Sequence, residues 1–351
     1  MPAPLNPIDR LLAATGRRAS HGTDRHTSNP QPFQPVGWLP GPHAQTIFPA
    51  LFAKKADVAY RRERWTAPDG DFIDLDWVDA ATANAPLLVL FHGLEGNSDS
   101  HYARNVMHAA TLRGWRAVVP HFRSCSGELN LGPRFYHSGD SAEIDWILRR
   151  LQATCSPPAL FAAGVSLGGN ALLRWLGERQ EDAQIVTAAA AVSAPVDLAA
   201  GGHALSFGFN RLYTRHFLKT LKIKSAAKLR QHPGLFDRQA MLAAADLHAF
   251  DDVVTAPLHG YRDADDYWQR ASAKPLLLQI TVPTLVLNAR NDPFLPAAAL
   301  PNASHVSSQV LLEQPAHGGH VGFMTGSLAR PFGRSAWLAE RLMQFFQDVE
   351  G

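Results

Sequence analysis

Ser166 sits in the stretch GVSLGG (164–169), boxed between Gly164 and Gly168. A serine hydroxyl is a weak nucleophile at neutral pH and attacks efficiently only beside a base. The spacing Gly-x-Ser-x-Gly is that of a nucleophile elbow. Such a corner holds its serine in a sparsely allowed backbone region, and small flanking residues let neighbouring backbone approach. The apolar run PALFAA precedes the motif and the helix-like NALLRWL follows it, the context a catalytic corner needs. A plain tight turn would explain the glycines alone, so the partners of Ser166 decide between the two.

The usual base for a serine is histidine, with its ring oriented by a carboxylate. After the apolar run TLVLNA comes ARNDPFLP, which sets Asp292 just past a strand end. After the following run comes EQPAHGGHVGF, which offers His317 and His320. Serine first, acid next and histidine last, on successive strand-to-loop junctions, is one of the orders in which this chemistry is assembled. The histidine would take the serine proton and return it to the leaving group, while Asp292 fixes the tautomer and stabilises the imidazolium. Asp197 in SAPVDL, one strand earlier, is the alternative acid, although turn or hinge duty suits it better. Acyl transfer also needs fixed N–H donors for a tetrahedral oxyanion. The amide of Leu167, in the first turn after the serine, and that of Leu94 in FHGLEG are placed to serve. His92 of the same motif reads as a loop-shaping group rather than a proton carrier.

The elements that must hold these residues follow from apolar patterning. Residues 57–66 and 71–78 flank the turn APDGD and read as a hairpin. Short continuous apolar runs at 85–91, 115–122, 158–165, 185–193, 280–289 and 307–313 read as strands buried on both faces, hence a mostly parallel sheet. Helix-like stretches fall between them at 103–113, 140–153 and after Ser166, with a closing helix over 335–349. Ser141 is placed to cap the helix it opens. From 198 to 278 no strand pattern occurs, only helix-like pieces, so this segment is expected to be an inserted helical lid over the strand ends. The expected division is a flexible tail over 1–32, a first core part over 33–197, the lid over 198–278 and a second core part over 279–351.

Composition narrows the class. The 351 residues carry a formal charge of +2 and 46% hydrophobic residues, ordinary for a globular chain and too weakly basic for a nucleic-acid surface. Cys125 and Cys155 are too few for a disulfide framework or a zinc cage and fit a reducing, cytoplasmic setting. No run reaches the roughly 20 apolar residues that span a bilayer. LLAATGRR near the start is short and amphipathic, which leaves room for peripheral membrane contact but not stable insertion.

Several long blocks together carry a resemblance: FQPVGWLPGPHAQTIFPALF, FHGLEGNSDSHYA, HFRSCSGELNLGPRFYHSGD, AGVSLGGNALLRWLGE, FDDVVTAPLHGY, ARNDPFLP and HGGHVGF. Over roughly residues 33–345 the chain resembles the YheT-like α/β-hydrolases, bacterial relatives of the ABHD lipid-hydrolase group. The resemblance implies a triad of Ser166, Asp292 and His320, the last being the second histidine of HGGH. It implies carboxylesterase or acylglycerol lipase activity on a small ester or lipid substrate, without a cofactor or metal. Thioesterase, amidase and acyltransferase chemistry share the same machinery, and a non-catalytic binding module is the reading from another class. RSCSG departs from the RGCSG more usual in such proteins. Arg123, His137, Ser138 and Asp140 are expected to pin loops near the site, and Pro42-His43 to pack the N-terminal arm.

Overall fold

Apolar runs without alternation are stable as strands only when both sheet faces are covered. The computed structural model, which describes residues 32–82, 84–326 and 336–351, has that arrangement. Its strands are β1 (Arg61–Thr66), β2 (Phe72–Val78), β3 (Leu87–Phe91), β4 (Arg116–Pro120), β5 (Leu160–Val165), β6 (Ala188–Val192), β7 (Thr284–Leu287) and β8 (Val310–Glu313). They form one sheet in the order β1-β2-β4-β3-β5-β6-β7-β8. β2 runs antiparallel to β1 and β4, and every pair from β4 to β8 is parallel. The β1–β2 hairpin closes at Ala67–Gly70, where Gly70 takes a positive φ of 80°.

Alternate residues of each strand feed opposite cores. Leu87, Val89 and Phe91 point to one side, against α3 (Ser141–Cys155) and α4 (Leu167–Arg179). Leu88 and Leu90 point to the other, against α2 (His101–Leu112) and the C-terminal α9 (Ala336–Glu350). Full burial of each such side chain contributes about 1.5–3 kcal/mol, which pins strand register and hence the strand-end loops. Observed strands are shorter than their apolar runs because those runs extend into turns: 280–283, for example, lies outside β7.

One local expectation needs correction. Ser141 is the first residue of α3 rather than its cap; Asp140 takes the cap position, without a capping bond. The Ser141 hydroxyl instead donates to Glu178, 2.5 Å away. Pro42-His43 lies in a helix, α1 (Gly41–Phe52), from which His43 packs against Phe209 and Tyr213. Residues 1–31 of the expected tail lie outside the described residues.

Between β6 and β7 the chain forms α5 (Leu198–Leu205), α6 (Arg211–Gln231), α7 (Arg238–Ala243), a run from Leu247–Phe250 through a π-turn at Asp251–Thr255, and α8 (Ala264–Ala271). These helices have small cores of their own, one around Tyr267 and Trp268 and another around Met241 and Phe250. No helix among the described residues is long and apolar enough to cross a membrane.

Candidate active site

The corner at GVSLGG joins β5 to α4. Ser166 adopts φ 52° and ψ −119°, a conformation that costs a non-glycine residue of order 1–3 kcal/mol. The strain is held by packing on both sides. A Cβ on Gly164 would lie 2.4 Å from the carbonyl oxygen of Gly168, and one on Gly168 would lie 2.5 Å from those of Phe91 and His92. Glycine at both positions is therefore a steric requirement of the corner, and the Ser166 amide ties it to β6 through Val192 at 2.8 Å.

The structure brings Ser166, His320 and Asp292 into one hydrogen-bonded line. His320 Nε2 lies 3.0 Å from Ser166 Oγ, and Nδ1 lies 2.8 Å from Asp292 Oδ2. The Asp292 side chain is fully buried, and its other oxygen accepts from the Phe294 amide at 2.8 Å. A carboxylate can only accept, so Nδ1 carries the proton and Nε2 is left to accept from the serine. The Phe294 ring stacks on His320 with centroids 4.0 Å apart. His317 is exposed instead, and Asp197 caps α5 by accepting from the Ala200 amide at 3.0 Å.

Sequence reasoning missed the groups that hold the histidine loop. The His320 amide donates to Thr46 Oγ1 at 2.9 Å, and the Gly318 amide donates to Gln45 Oε1 at the same distance. Ser193 accepts from the Val321 amide at 3.0 Å. Asn291 donates to Gln45 and accepts from Gly319, bridging the Asp292 and His320 loops. The block GPHAQT carried the signal, but only as a resemblance without a role.

Leu94 and Leu167 lie with Ser166 on the wall of one cavity. Among the described residues neither amide N–H meets an acceptor. The Leu94 loop is fixed from both ends. Tyr102 Oη accepts from the Gly93 amide at 2.8 Å, and Tyr136 Oη accepts from the Glu95 amide at 2.8 Å. His92 is fully buried, its Nδ1 2.8 Å from the Gly93 carbonyl and its Nε2 accepting from the Phe122 amide. Burial, with His121 nearby, pulls its pKa down to about 3, so it shapes the loop as a neutral ring.

The cavity holds about 140 Å³ and is mostly apolar, with Leu198, Phe217, Leu221 and Trp268 on its wall. Helices from the 198–279 segment supply much of that wall. Of the aromatic residues in this segment, Phe217, Tyr267 and Trp268 line it, Tyr213 packs on Phe294, Phe207 faces outward and Phe209 is half-exposed against His43. Among its charged lining residues, Lys224 and Glu95 pair at 2.8 Å, and Asp251 joins the wall from the π-turn.

The flanking loops are pinned as expected. Arg123 is buried and pairs with Glu143, Asp71 and Asp69. The Ser138 amide donates to Tyr267, and its carbonyl accepts from Asn170, which also clamps Ala271 and Ala273. Ser124 of RSCSG has φ 64°, the reason glycine suits that position, and its hydroxyl accepts from the Asn130 amide at 3.1 Å. Burial pushes the Cys125 thiol up to about 12, which makes it inert.

Residues 86–327 match the family model described as alpha/beta hydrolase fold. The chain is 40% identical over 314 residues to "Putative esterase YheT" of Escherichia coli (strain K12), covering 88% of this chain and 91% of that one. It is 31% identical to "Phospholipase ABHD3" of Mus musculus, over 84% of this chain and 74% of the relative. Among solved structures, the esterase Pf2001 of Pyrococcus furiosus superposes with a TM-score of 0.52 at 13% identity, over 85% of this chain and 98% of that one, a likeness of fold.

Proposed function

Because the chain belongs to the α/β-hydrolase fold family, in the branch that includes the YheT-type proteins, we propose that it cleaves carboxylic esters through an acyl-enzyme on Ser166. The observation that carries this reading is the line Asp292–His320–Ser166 opening onto an apolar cavity. The relatives named as esterase and phospholipase support an ester or lipid substrate.

In acylation, Ser166 Oγ attacks the ester carbon as its proton passes to His320 Nε2. The carbonyl π electrons move to oxygen, and the oxyanion takes hydrogen bonds from the N–H groups of Leu94 and Leu167. Collapse expels the alcohol, which leaves with the proton from His320. Water then enters, gives its proton to His320 and attacks the acyl carbon; Ser166 departs with that proton restored. Asp292 stays ionised throughout and stabilises the imidazolium formed at each attack. The helices over 198–278 act as a lid, excluding bulk water and strengthening these interactions. Two free cysteines fit a cytoplasmic setting.

Labelling by a fluorophosphonate probe tests the nucleophile: wild type is modified and Ser166→Ala is not. Turnover of p-nitrophenyl esters of rising chain length, beside monoacylglycerols, sets the acyl preference. Equal labelling of Ser166→Ala would overturn the reading. Thioester, amide or non-water acceptors run in parallel assign the alternative chemistries.

A further inference from the structure

The outer face of α6 has a composition that the chemistry of the cavity does not explain. From 198 to 236 the chain contains seven Lys and Arg residues and no Asp or Glu, although the whole protein carries only +2. Three of those cations work inward. Lys224 pairs with Glu95, Lys228 donates to the Asn130 and Gly132 carbonyls, and Lys222 donates to those of Leu242 and Ala244. Arg211, Arg215 and Lys219 recur every fourth residue, on one exposed stripe of the helix. Among the described residues none of the three has an ion-pair partner.

Beside this stripe lies apolar surface. The turn Gly208–Asn210 leads into α6, and Phe207, Phe209 and Leu212 are 72%, 49% and 51% exposed. Single exposed apolar residues are ordinary; three within six positions beside three unpaired cations are not. The turn is firmly anchored, since Asn210 donates to the Pro293 carbonyl at 2.7 Å, next to Asp292. Tyr213, one turn on, packs against Phe294, the ring stacked on His320. The inner face of the same helix brings Phe217, Leu221 and Lys224 to the cavity.

We infer that Phe207, Phe209 and Leu212, with Arg211, Arg215 and Lys219, form a docking face for an anionic lipid bilayer. Aromatic and leucine side chains enter the headgroup–acyl boundary while neighbouring cations meet lipid phosphates, the arrangement of an interfacial amphipathic helix. A protein partner with an acidic groove would offer charge but would not need Phe207 projecting from a short turn beside the half-exposed Phe209, whose ring rests on His43. Docking here sets the bilayer against the helix whose other face lines the cavity, so a lipid ester would reach Ser166 by a short path.

Cosedimentation of the full chain with vesicles tests this. Vesicles of equal parts phosphatidylcholine and phosphatidylglycerol should bind the protein, and phosphatidylcholine alone should bind little. The bound fraction should fall as salt is raised. The triple variant Arg211→Ser, Arg215→Ser, Lys219→Ser should lose about 100-fold in affinity for the anionic vesicles. Phe207→Ser with Phe209→Ser should also release the protein. Both variants should keep the wild-type melting temperature and the wild-type rate on a water-soluble ester. Ser166→Ala should bind vesicles like wild type, which separates docking from the catalytic reading. Equal binding to both vesicle types, no binding, or variants that bind like wild type would overturn the inference. A concentration-dependent dimer that the phenylalanine variant loses would overturn it too, assigning the face to a second copy.

Discussion

The amide of His320 and the hydroxyl of Thr46 are joined at 2.9 Å across 274 residues of sequence. With Gln45 at Gly318, this makes α1 a bracket that sets the height of the imidazole above Ser166. Thr46→Val keeps the shape of the side chain but removes the acceptor, leaving a part-buried N–H unpaired at about 1–3 kcal/mol. Turnover should fall about tenfold through misplacement of the ring, with KM nearly unchanged. Thr46→Ser should restore most of the rate. Steady-state kinetics on one soluble ester reads all three, and a change in KM alone would speak against the bracket.

Asp292 and Asp197 can be separated by the same substitution. Asp292→Asn leaves packing intact but favours the wrong imidazole tautomer, and a loss near 10⁴-fold in turnover is expected. Asp197→Asn alters only a helix cap, and asparagine caps nearly as well as aspartate. Its turnover should stay within about twofold of wild type. The reverse ranking would move the acid one strand back along the sheet.

These contrasts mark where the sequence was readable. Ser166, Asp292 and the pair His317 and His320 each follow an apolar run, so strand ends and order brought them together, and the family resemblance chose His320 between the two histidines. Burial of both sheet faces made the runs visible, yet it also blurred their limits, as at 280–283. Thr46 and Gln45 left no comparable trace, because two polar side chains acting over some 270 residues create no local period. The exposed stripe on α6 was hidden for a different reason. Arg211, Arg215 and Lys219 share a lysine- and arginine-rich helix with Lys224 and Lys228, and only tertiary contacts separate cations facing out from cations facing in.

Lys224 ties the inserted helices to the loop of Leu94. It donates to Glu95 Oε1, whose residue sits at φ 56° and is also held by Tyr136. Lys224→Met would strand a nearly buried carboxylate beside the Leu94 amide, the donor proposed for the oxyanion. Turnover should drop about 10–100-fold, less than the roughly 10²–10³-fold lost when an oxyanion donor is removed outright. The double variant Lys224→Met, Glu95→Gln should be less impaired than Lys224→Met alone, because no unpaired charge remains. Additive losses in that cycle would show that the two side chains act separately.

Asp251, on the π-turn over the cavity, supplies a pH test of stability. Burial raises its pKa from the usual 3.8 to about 6, against the opposing hydrogen bonds from Thr255 and Trp268 and the nearby His248. A carboxyl that keeps its proton more tightly when folded stabilises the fold fully below its unfolded pKa. That contribution shrinks as pH climbs from about 4 to about 6 and is lost above. At most about 3 kcal/mol is involved, from roughly two pH units at 1.36 kcal/mol each. Asp251→Asn is neutral at every pH and removes this slope. Melting temperatures of wild type and variant should therefore diverge between pH 4 and 7, with the variant gaining as pH rises. Parallel curves would mean that Asp251 titrates alike in the folded and unfolded chains.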